Sequence, residues 1–293
     1  MSTYMNDRIK VQRDTISIFD KGWYINNKNE IINVVNNDSI ESTTKHYKDS
    51  LVDMYHNVGL MKYDETDMFI VRHDCLEVGL FFKSIGFNPV VLNMANAIHP
   101  GGGYKTGESA QEESLFRRTN LHLCLDSQRK RLYPIPKRGA LYTPDATVIK
   151  HSEFDNYRLM DNVQHICFIS AAAHRCGKDD VINIDETKVL TEDVEILMQN
   201  KIDSIFELAA VKHHDVIILS AFGCGVFGNP PGCIAMLFKN AINKYKKHFR
   251  YIIFAIFDDK NALSNNKDGN VKVFADILNL PILSYDELFF MKI

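Results

Sequence analysis

Val90-Val91-Leu92-Asn93-Met94-Ala95-Asn96 runs, after four intervening residues, into Gly101-Gly102-Gly103, and after a spacer of seven residues into Gln111-Glu112-Glu113. The apolar run reads as a buried strand opening into a loop. Three consecutive glycines are tolerated where something must approach the backbone closely or where φ is positive. Ser109-Ala110-Gln111-Glu112 has the S-x-x-E form of a capping box, which predicts a helix start there. Glu112 and Glu113 would then occupy the first turn of that helix, beside the glycine loop. A pliant backbone cradle facing two carboxylates suits holding a polar substrate and moving a proton. It marks a candidate active site.

Outward from this stretch the chain alternates between strand and helix patterns. Strands are predicted at Met68–Arg72, Pro89–Met94, Ala146–Ile149, His165–Ala171, Asp215–Ser220 and Tyr251–Phe257. Helices are predicted at Cys75–Ile85, Ala110–Leu125, Thr191–Val211, Pro231–Lys247 and Val271–Asn279. Such alternation implies an α/β protein with a parallel or mixed sheet and helices on both faces. Residues 1–60 read as an accessory segment, with a helix near Arg8 to Asp20 and a short strand around Glu30 to Val35. The alternating domain occupies 61–293.

With 45% hydrophobic and 24% charged residues the chain has the composition of a soluble globular protein. A formal charge of −3 provides no general attraction to nucleic acid. An anionic ligand must therefore be held by local groups. The six cysteines are scattered without a C-x-x-C, and reduced thiols are expected. The polar start MSTYMNDRIK is not a signal h-region, and no apolar run approaches the roughly 20 residues that span a bilayer. These features predict a cytoplasmic protein, with the nucleus the alternative for a eukaryotic or viral source. No H-E-x-x-H or C-x-x-C asks for a metal.

A second glycine cluster, Gly223-Cys224-Gly225-Val226-Phe227-Gly228-Asn229-Pro230-Pro231, follows a strand and precedes a helix. Gly223, Gly225 and Gly228 satisfy the dinucleotide pattern G-x-G-x-x-G. That pattern wants an acid about twenty positions on, whereas the next strand ends in Asp258-Asp259 about thirty on. The dinucleotide reading is set aside, but its physical basis stays. Glycine-freed N–H groups ahead of a helix N-terminus suit a phosphate or diphosphate. The basic run Gln128-Arg129-Lys130-Arg131 reads as a solvated helix end, with attraction of an anionic polymer as the alternative.

Taken together these motifs resemble one family. The GGG, seven-residue spacer, QEE pattern is similar to that of the poly(ADP-ribose) glycohydrolases of compact bacterial type, built on a macro domain. Leu92–Asn96 resembles the macro-domain strand end V-N-A-A-N, and Gly223–Pro230 its diphosphate loop. Met94 and His174 depart from the family pattern without touching the acidic pair. The resemblance implies a three-layer α/β/α macro domain with a mixed central sheet, preceded by the accessory helical segment. It implies a hydrolase that cleaves the ribose–ribose O-glycosidic bonds of poly(ADP-ribose) and releases ADP-ribose. Its partners would be the polymer or ADP-ribosylated proteins. No cofactor, metal, membrane or nucleic acid is expected, and the chain would be a monomer.

Carried over, the resemblance assigns Asn96 and Gly101, Gly102 and Gly103 to the distal ribose, with Gln111 among the substrate contacts. Glu112 would orient ribose hydroxyls and Glu113 would be the catalytic acid. Gly223, Gly225, Val226, Phe227 and Gly228 would wrap the diphosphate, Phe227 lying near the scissile bond. Asp74 would meet the adenine amine and Phe257 would stack on the ring, against the plainer readings of a helix N-cap and a core aromatic.

Spacing constrains the chemistry. Glycosidase carboxylates usually flank the scissile bond from opposite faces. Consecutive helical residues point about 100° apart and cannot bracket a sugar in that way. One acid must do the proton work while the other holds hydroxyls. Protonated Glu113 would donate to the departing oxygen, and the resulting carboxylate would activate water. A reader that binds ADP-ribose without turning it over needs both loops but not Glu113. A dinucleotide oxidoreductase would instead bind NAD(H).

Overall fold

The chain first commits to an amphipathic helix, α1 (Thr3–Lys21), and a small hairpin, β1 (Trp23–Ile25) with β2 (Ile31–Asn33). The computed structural model describes residues 3–34, 44–47, 62–185, 187–258, 263 and 268–290. Val35, the last residue of the predicted N-terminal strand, and Asp259 lie outside the described residues.

An eight-stranded sheet organises the rest. It consists of β3 (Lys45–Tyr47), β4 (Asp67–Val71), β5 (Pro89–Met94), β6 (Ala140–Lys150), β7 (Leu159–Ala171), β10 (Val216–Leu219), β11 (Tyr251–Ala255) and β12 (Ile282–Leu283), in the order β12-β4-β11-β10-β5-β7-β6-β3. The strands from β12 to β7 are mutually parallel, whereas β6 and β3 are antiparallel to their neighbours. A separate hairpin joins β8 (Val181–Ile184) to β9 (Thr187–Leu190). The sheet is mixed, as expected.

Period-two alternation sends side chains to two cores. Ile217 and Leu219 of β10 join Ile252 and Phe254 of β11 under α5 (Glu192–Val211), α6 (Pro231–Tyr245) and α7 (Gly269–Leu278). Val216, Ile218, Tyr251 and Ile253 face the other way, against α2 (Cys75–Ser84) and α3 (Gln111–Arg118). Two short helices, α4 (Arg129–Leu132) and α8 (Tyr285–Leu288), complete the second layer. The result is the three-layer α/β/α arrangement, with helices covering both faces of a largely parallel sheet. Among the described residues no helix is long and apolar enough to cross a membrane.

Three local expectations are corrected. The predicted helix Ala110–Leu125 stops at Arg118, because Thr119 turns extended and bridges Val148 of β6. Asn120 reinforces that bridge by exchanging backbone and side-chain bonds with Thr147, and a wide π turn at His122–Asp126 resumes the coil. The capping box at Ser109 does not form. Ala110 is the N-cap and makes no side-chain cap bond, since Gln111 and Glu112 bond elsewhere. The predicted strands Ala146–Ile149 and His165–Ala171 are only the ends of long strands. A register shift between Thr143 and Ala146, with Asp145 at φ +50°, interrupts the alternation that would have revealed their full length.

Helix α1 is tied to the second layer. Thr15 Oγ1 donates to the Arg117 carbonyl of α3 at 2.5 Å, and Lys150 Nζ donates to the Val11 carbonyl at 3.1 Å and to Thr15 Oγ1 at 2.7 Å. Ile18, Phe19, Tyr24, Val34 and Ile149 form a small apolar cluster beneath it.

Candidate active site

Because six strands run in parallel, their carboxyl ends place Asp74, Asn96, Ser220 and Phe257 along one edge of the sheet. Clefts of open α/β sheets lie at this edge. Here it carries a cleft of about 430 Å³, lined among others by Asp74, Met94, Gln111, Gly225, Val226 and Phe257. Asn96 and the acidic pair are not among its lining groups, but Gln111 and Ser114, which flank the pair, and Met94, two residues before Asn96, are.

Helix α3 is fastened to the end of β5 by its first three side chains. Gln111 Oε1 accepts the Met94 N–H at 2.8 Å, and Gln111 Nε2 donates to the Leu92 carbonyl at 2.6 Å. Glu112 Oε2 accepts the Asn96 N–H at 2.7 Å, and its Oε1 accepts the Gly101 N–H at 3.0 Å. Glu113 Oε1 accepts the Gly103 N–H at 2.9 Å. The loop's amides thus turn toward the carboxylates, which a glycine-rich backbone makes easy. Gly101 and Gly102 both have positive φ, +73° and +52°. A methyl on Gly102 would press on Glu113 Oε1 and lie 3.2 Å from the carboxyl carbon.

The two acids differ in what remains of them. Glu112 is 3% exposed with both oxygens engaged. Burial pushes it up to about 8, against the pull of its amide donors and helped by the neighbouring Glu113 charge. Glu113 is 8% exposed, and among the described residues nothing donates to its second oxygen. Asn96 uses Oδ1 to accept the N–H groups of Ile98 and His99, at 2.9 and 3.0 Å.

The second glycine loop leaves β10 and enters α6 through Pro230 as N-cap and Pro231. Gly223, at φ +78°, lies where a methyl would meet Ala173 Cβ at 2.7 Å and Asn229 Nδ2 at 2.6 Å. Asn229 staples the loop by donating to the His174 carbonyl at 2.7 Å and the Gly223 carbonyl at 3.1 Å. Gly228, at φ +68°, donates to the Gly225 carbonyl at 3.0 Å. Among the described residues no hydrogen bond takes up the N–H of Val226 or of Phe227. Val226 is exposed, whereas Phe227 packs partly on the core and its carbonyl accepts the Cys176 N–H. Asp258 spends its carboxylate on the N–H groups of Asn270 and Val271 at the start of α7, which a dinucleotide-binding acid would not do.

At the far end of the cleft Asp74 is the N-cap of α2, accepting from the Leu76 and Glu77 N–H groups. It also pairs with Arg118 at 2.8 Å. Phe257 is 56% exposed and meets Phe154 edge-on, with centroids 4.9 Å apart. It is therefore a surface aromatic and not part of the core.

Several groups here escaped the sequence reading. Arg118 is fully buried and bridges Asp74 and Glu77, each at 2.8 Å. Burial opposes the Glu77 charge, but the His151 bond and Arg118 together hold its carboxyl below the usual range. Arg8 of α1 reaches the cleft wall and pairs with Glu153 at 2.9 Å, beside Phe154. The consecutive Arg117-Arg118 at the end of an otherwise amphipathic helix was the one available signal. Nothing local marks Arg8 or Phe154.

Residues 12–151 match the family model described as microbial-type PARG, catalytic domain. Among solved structures, the chain is similar to the poly(ADP-ribose) glycohydrolase of Thermomonospora curvata, with a TM-score of 0.77 and 21% identity over 93% of this chain and 99% of that one. It is also similar to that enzyme bound to the inhibitor ADP-HPD, with a TM-score of 0.75 and 21% identity over 92% and 99%. The Deinococcus radiodurans glycohydrolase in complex with ADP-ribose aligns with a TM-score of 0.69 and 19% identity, over 82% and 96%. No curated protein matches the chain. Residues 12–151, from α1 through the glycine loop and the acidic helix start to the end of β6, thus match the model of the microbial-type PARG catalytic domain, in a chain that has the fold of the bacterial glycohydrolases.

Proposed function

We propose that this protein hydrolyses the ribose–ribose O-glycosidic bonds of poly(ADP-ribose) and releases ADP-ribose, with Glu113 as general acid and then general base. One observation carries the assignment of roles. Glu112 has both oxygens committed to loop amides, whereas Glu113 is held by one oxygen in the gap left by Gly102 and keeps the other for a substrate.

Adenine enters between Phe257 and the Asp74 end of the cleft, and the diphosphate lies along Gly223–Gly228 with the Val226 and Phe227 amides as donors. The distal ribose rests over Gly101–Gly103, with Asn96 and the remaining lone pairs of Glu112 taking its hydroxyls. Glu113 protonates the glycosidic oxygen as its bond to the anomeric carbon breaks. The oxocarbenium-like centre is then attacked by a water that returns its proton to Glu113. Residues 1–60 serve this domain as an accessory element. Helix α1 braces α3 through Thr15 and Arg117, and so holds the acidic turn against the loop.

Replacing Glu113 with Gln tests the assignment. ADP-ribose binding should persist while polymer hydrolysis falls by about 10²–10⁴, the contribution of a general acid. Equal rates for the two proteins would refute the role of Glu113. A reader is distinguished by the unmodified protein, which would bind ADP-ribose and leave the polymer intact.

A further inference from the structure

The cleft and the acidic pair account for one ADP-ribose unit, yet the substrate is a polymer whose every unit carries a diphosphate. The terminal unit's distal ribose is joined to the adenosine ribose of the next unit. That unit's two negative charges therefore lie one sugar beyond the scissile oxygen. With the distal ribose over Gly101–Gly103 as proposed above, they fall beside the outer rim of the first glycine loop.

That rim is basic, and it is bound to the catalytic loop by named contacts. Arg129 of α4 is exposed and donates through Nη2 to His99 Nδ1 at 3.1 Å. Arginine cannot accept a hydrogen bond, so Nδ1 is the acceptor and the ring hydrogen sits on Nε2 as a further donor. His99 belongs to the loop itself. Its N–H goes to Asn96 Oδ1 at 3.0 Å, its carbonyl accepts the Gly102 N–H at 2.9 Å, and Asn96 is in turn bonded to Glu112. The segment after α4 docks on the same loop, the Ile135 N–H reaching the Ala97 carbonyl at 2.8 Å. Lys130 is exposed beside Arg129, and Lys105, also exposed, pairs at 2.7 Å with Asp126, whose carboxylate feels Arg129 as well. In a chain of net charge −3, this concentration of cations at the loop rim runs against the average.

We infer that Arg129, Lys130 and the Nε2–H of His99 form a subsite for the diphosphate of the polymer unit next to the scissile bond, an inference that rests on the glycohydrolase reading above. Arginine suits the task because its planar fork matches phosphate oxygens. The subsite recruits the leaving chain and takes no part in the proton transfers. It should therefore act on polymer affinity and not on the chemical step.

The test compares the unmodified protein with Arg129→Ser/Lys130→Ser and with Arg129→Lys. Three readouts are used: polymer hydrolysis across a salt series, hydrolysis of an ADP-riboside carrying an uncharged aryl leaving group, and filter binding of polymer and of ADP-ribose. The double variant should lose about 10–100-fold in kcat/KM on polymer at low salt. Its dependence of log affinity on log salt should be shallower by about 1, since each phosphate contact contributes about 0.7 on single strands. The aryl substrate and ADP-ribose binding should stay within twofold, and Arg129→Lys should recover most of the salt dependence. Unchanged polymer constants, an equal fall on both substrates, or displacement of polymer by single-stranded DNA at equal phosphate concentration would each overturn the inference. If the unmodified protein cleaves neither substrate, the hydrolase reading has failed, and the filter-binding comparison still decides the subsite.

Discussion

Gly102→Ala isolates the geometric requirement of the acidic site. Two effects act at once. The residue sits at φ +52°, where an alanine is strained by about 1–2 kcal/mol. Its methyl would also press on Glu113 Oε1, so the carboxylate must rotate off the Gly103 N–H, a charge-assisted bond worth about 1.5–3 kcal/mol. Part of the second loss is recovered when the displaced carboxylate meets water, which leaves a destabilisation of about 2–4 kcal/mol. For a chain of this size that lowers the melting temperature by about 3–7 °C. The effect on rate should be larger in proportion, because displacing a catalytic group by about 1 Å costs roughly 10²-fold. Gly86→Ala is the control. It has positive φ, +95°, with nothing within 4 Å of the added methyl, so it carries the strain without the collision. Calorimetry and a polymer-hydrolysis time course on both variants, with ADP-ribose titrations, separate the effects. Both variants should bind ADP-ribose, and only Gly102→Ala should lose turnover. If Gly102→Ala cleaves polymer at the rate of Gly86→Ala, Glu113 does not need its observed place and the mechanism is wrong.

Other perturbations probe the remaining parts of the site. Glu112 is raised from 4.5 to about 8, so its neutral form is favoured in the folded state; the associated stability is full below about 4.5 and drains away as pH climbs to about 8, by on the order of 5 kcal/mol. Urea titrations at pH 5 and pH 8 should show that loss, and Glu112→Gln should flatten it even though the amide disturbs one loop bond; equal slopes in the two proteins would contradict the burial argument. Arg118→Met strands Asp74 and Glu77 without their cation and should destabilise the fold by about 3–5 kcal/mol, read by chemical denaturation. Phe257→Ala should weaken ADP-ribose binding by about 1–3 kcal/mol, the range for base stacking, and leave the affinity for a ribose diphosphate lacking adenine unchanged in the same calorimeter. Thr15→Val removes both the tie from α1 to the Arg117 carbonyl and the acceptor of Lys150, and should cost about 2–4 kcal/mol while lowering kcat more than it raises KM.

What the amino-acid order determined alone is what depends on neighbours in the chain. The alternation of apolar periods in Val90–Met94, Val216–Leu219 and Tyr251–Ala255 was enough for a layered α/β sheet, since a buried parallel strand is apolar on both faces. The two glycine loops and the position of Glu112 and Glu113 in a first helical turn were legible for the same reason. Tertiary structure decided whatever depends on pairing across the chain. Helix α3 ends at Arg118 because Thr119 finds a strand partner in Val148, a contact between residues 29 positions apart that no local propensity reveals. Ser109 is not a cap because the side chains that follow it bond to the end of β5 and to the glycine loop. Asp74 joins Arg118, and Phe257 joins Phe154 at the cleft mouth, only once the sheet has brought distant loops to one edge. Which of the two adjacent acids keeps a free oxygen was likewise settled by the loop amides, whose directions exist only in the folded chain.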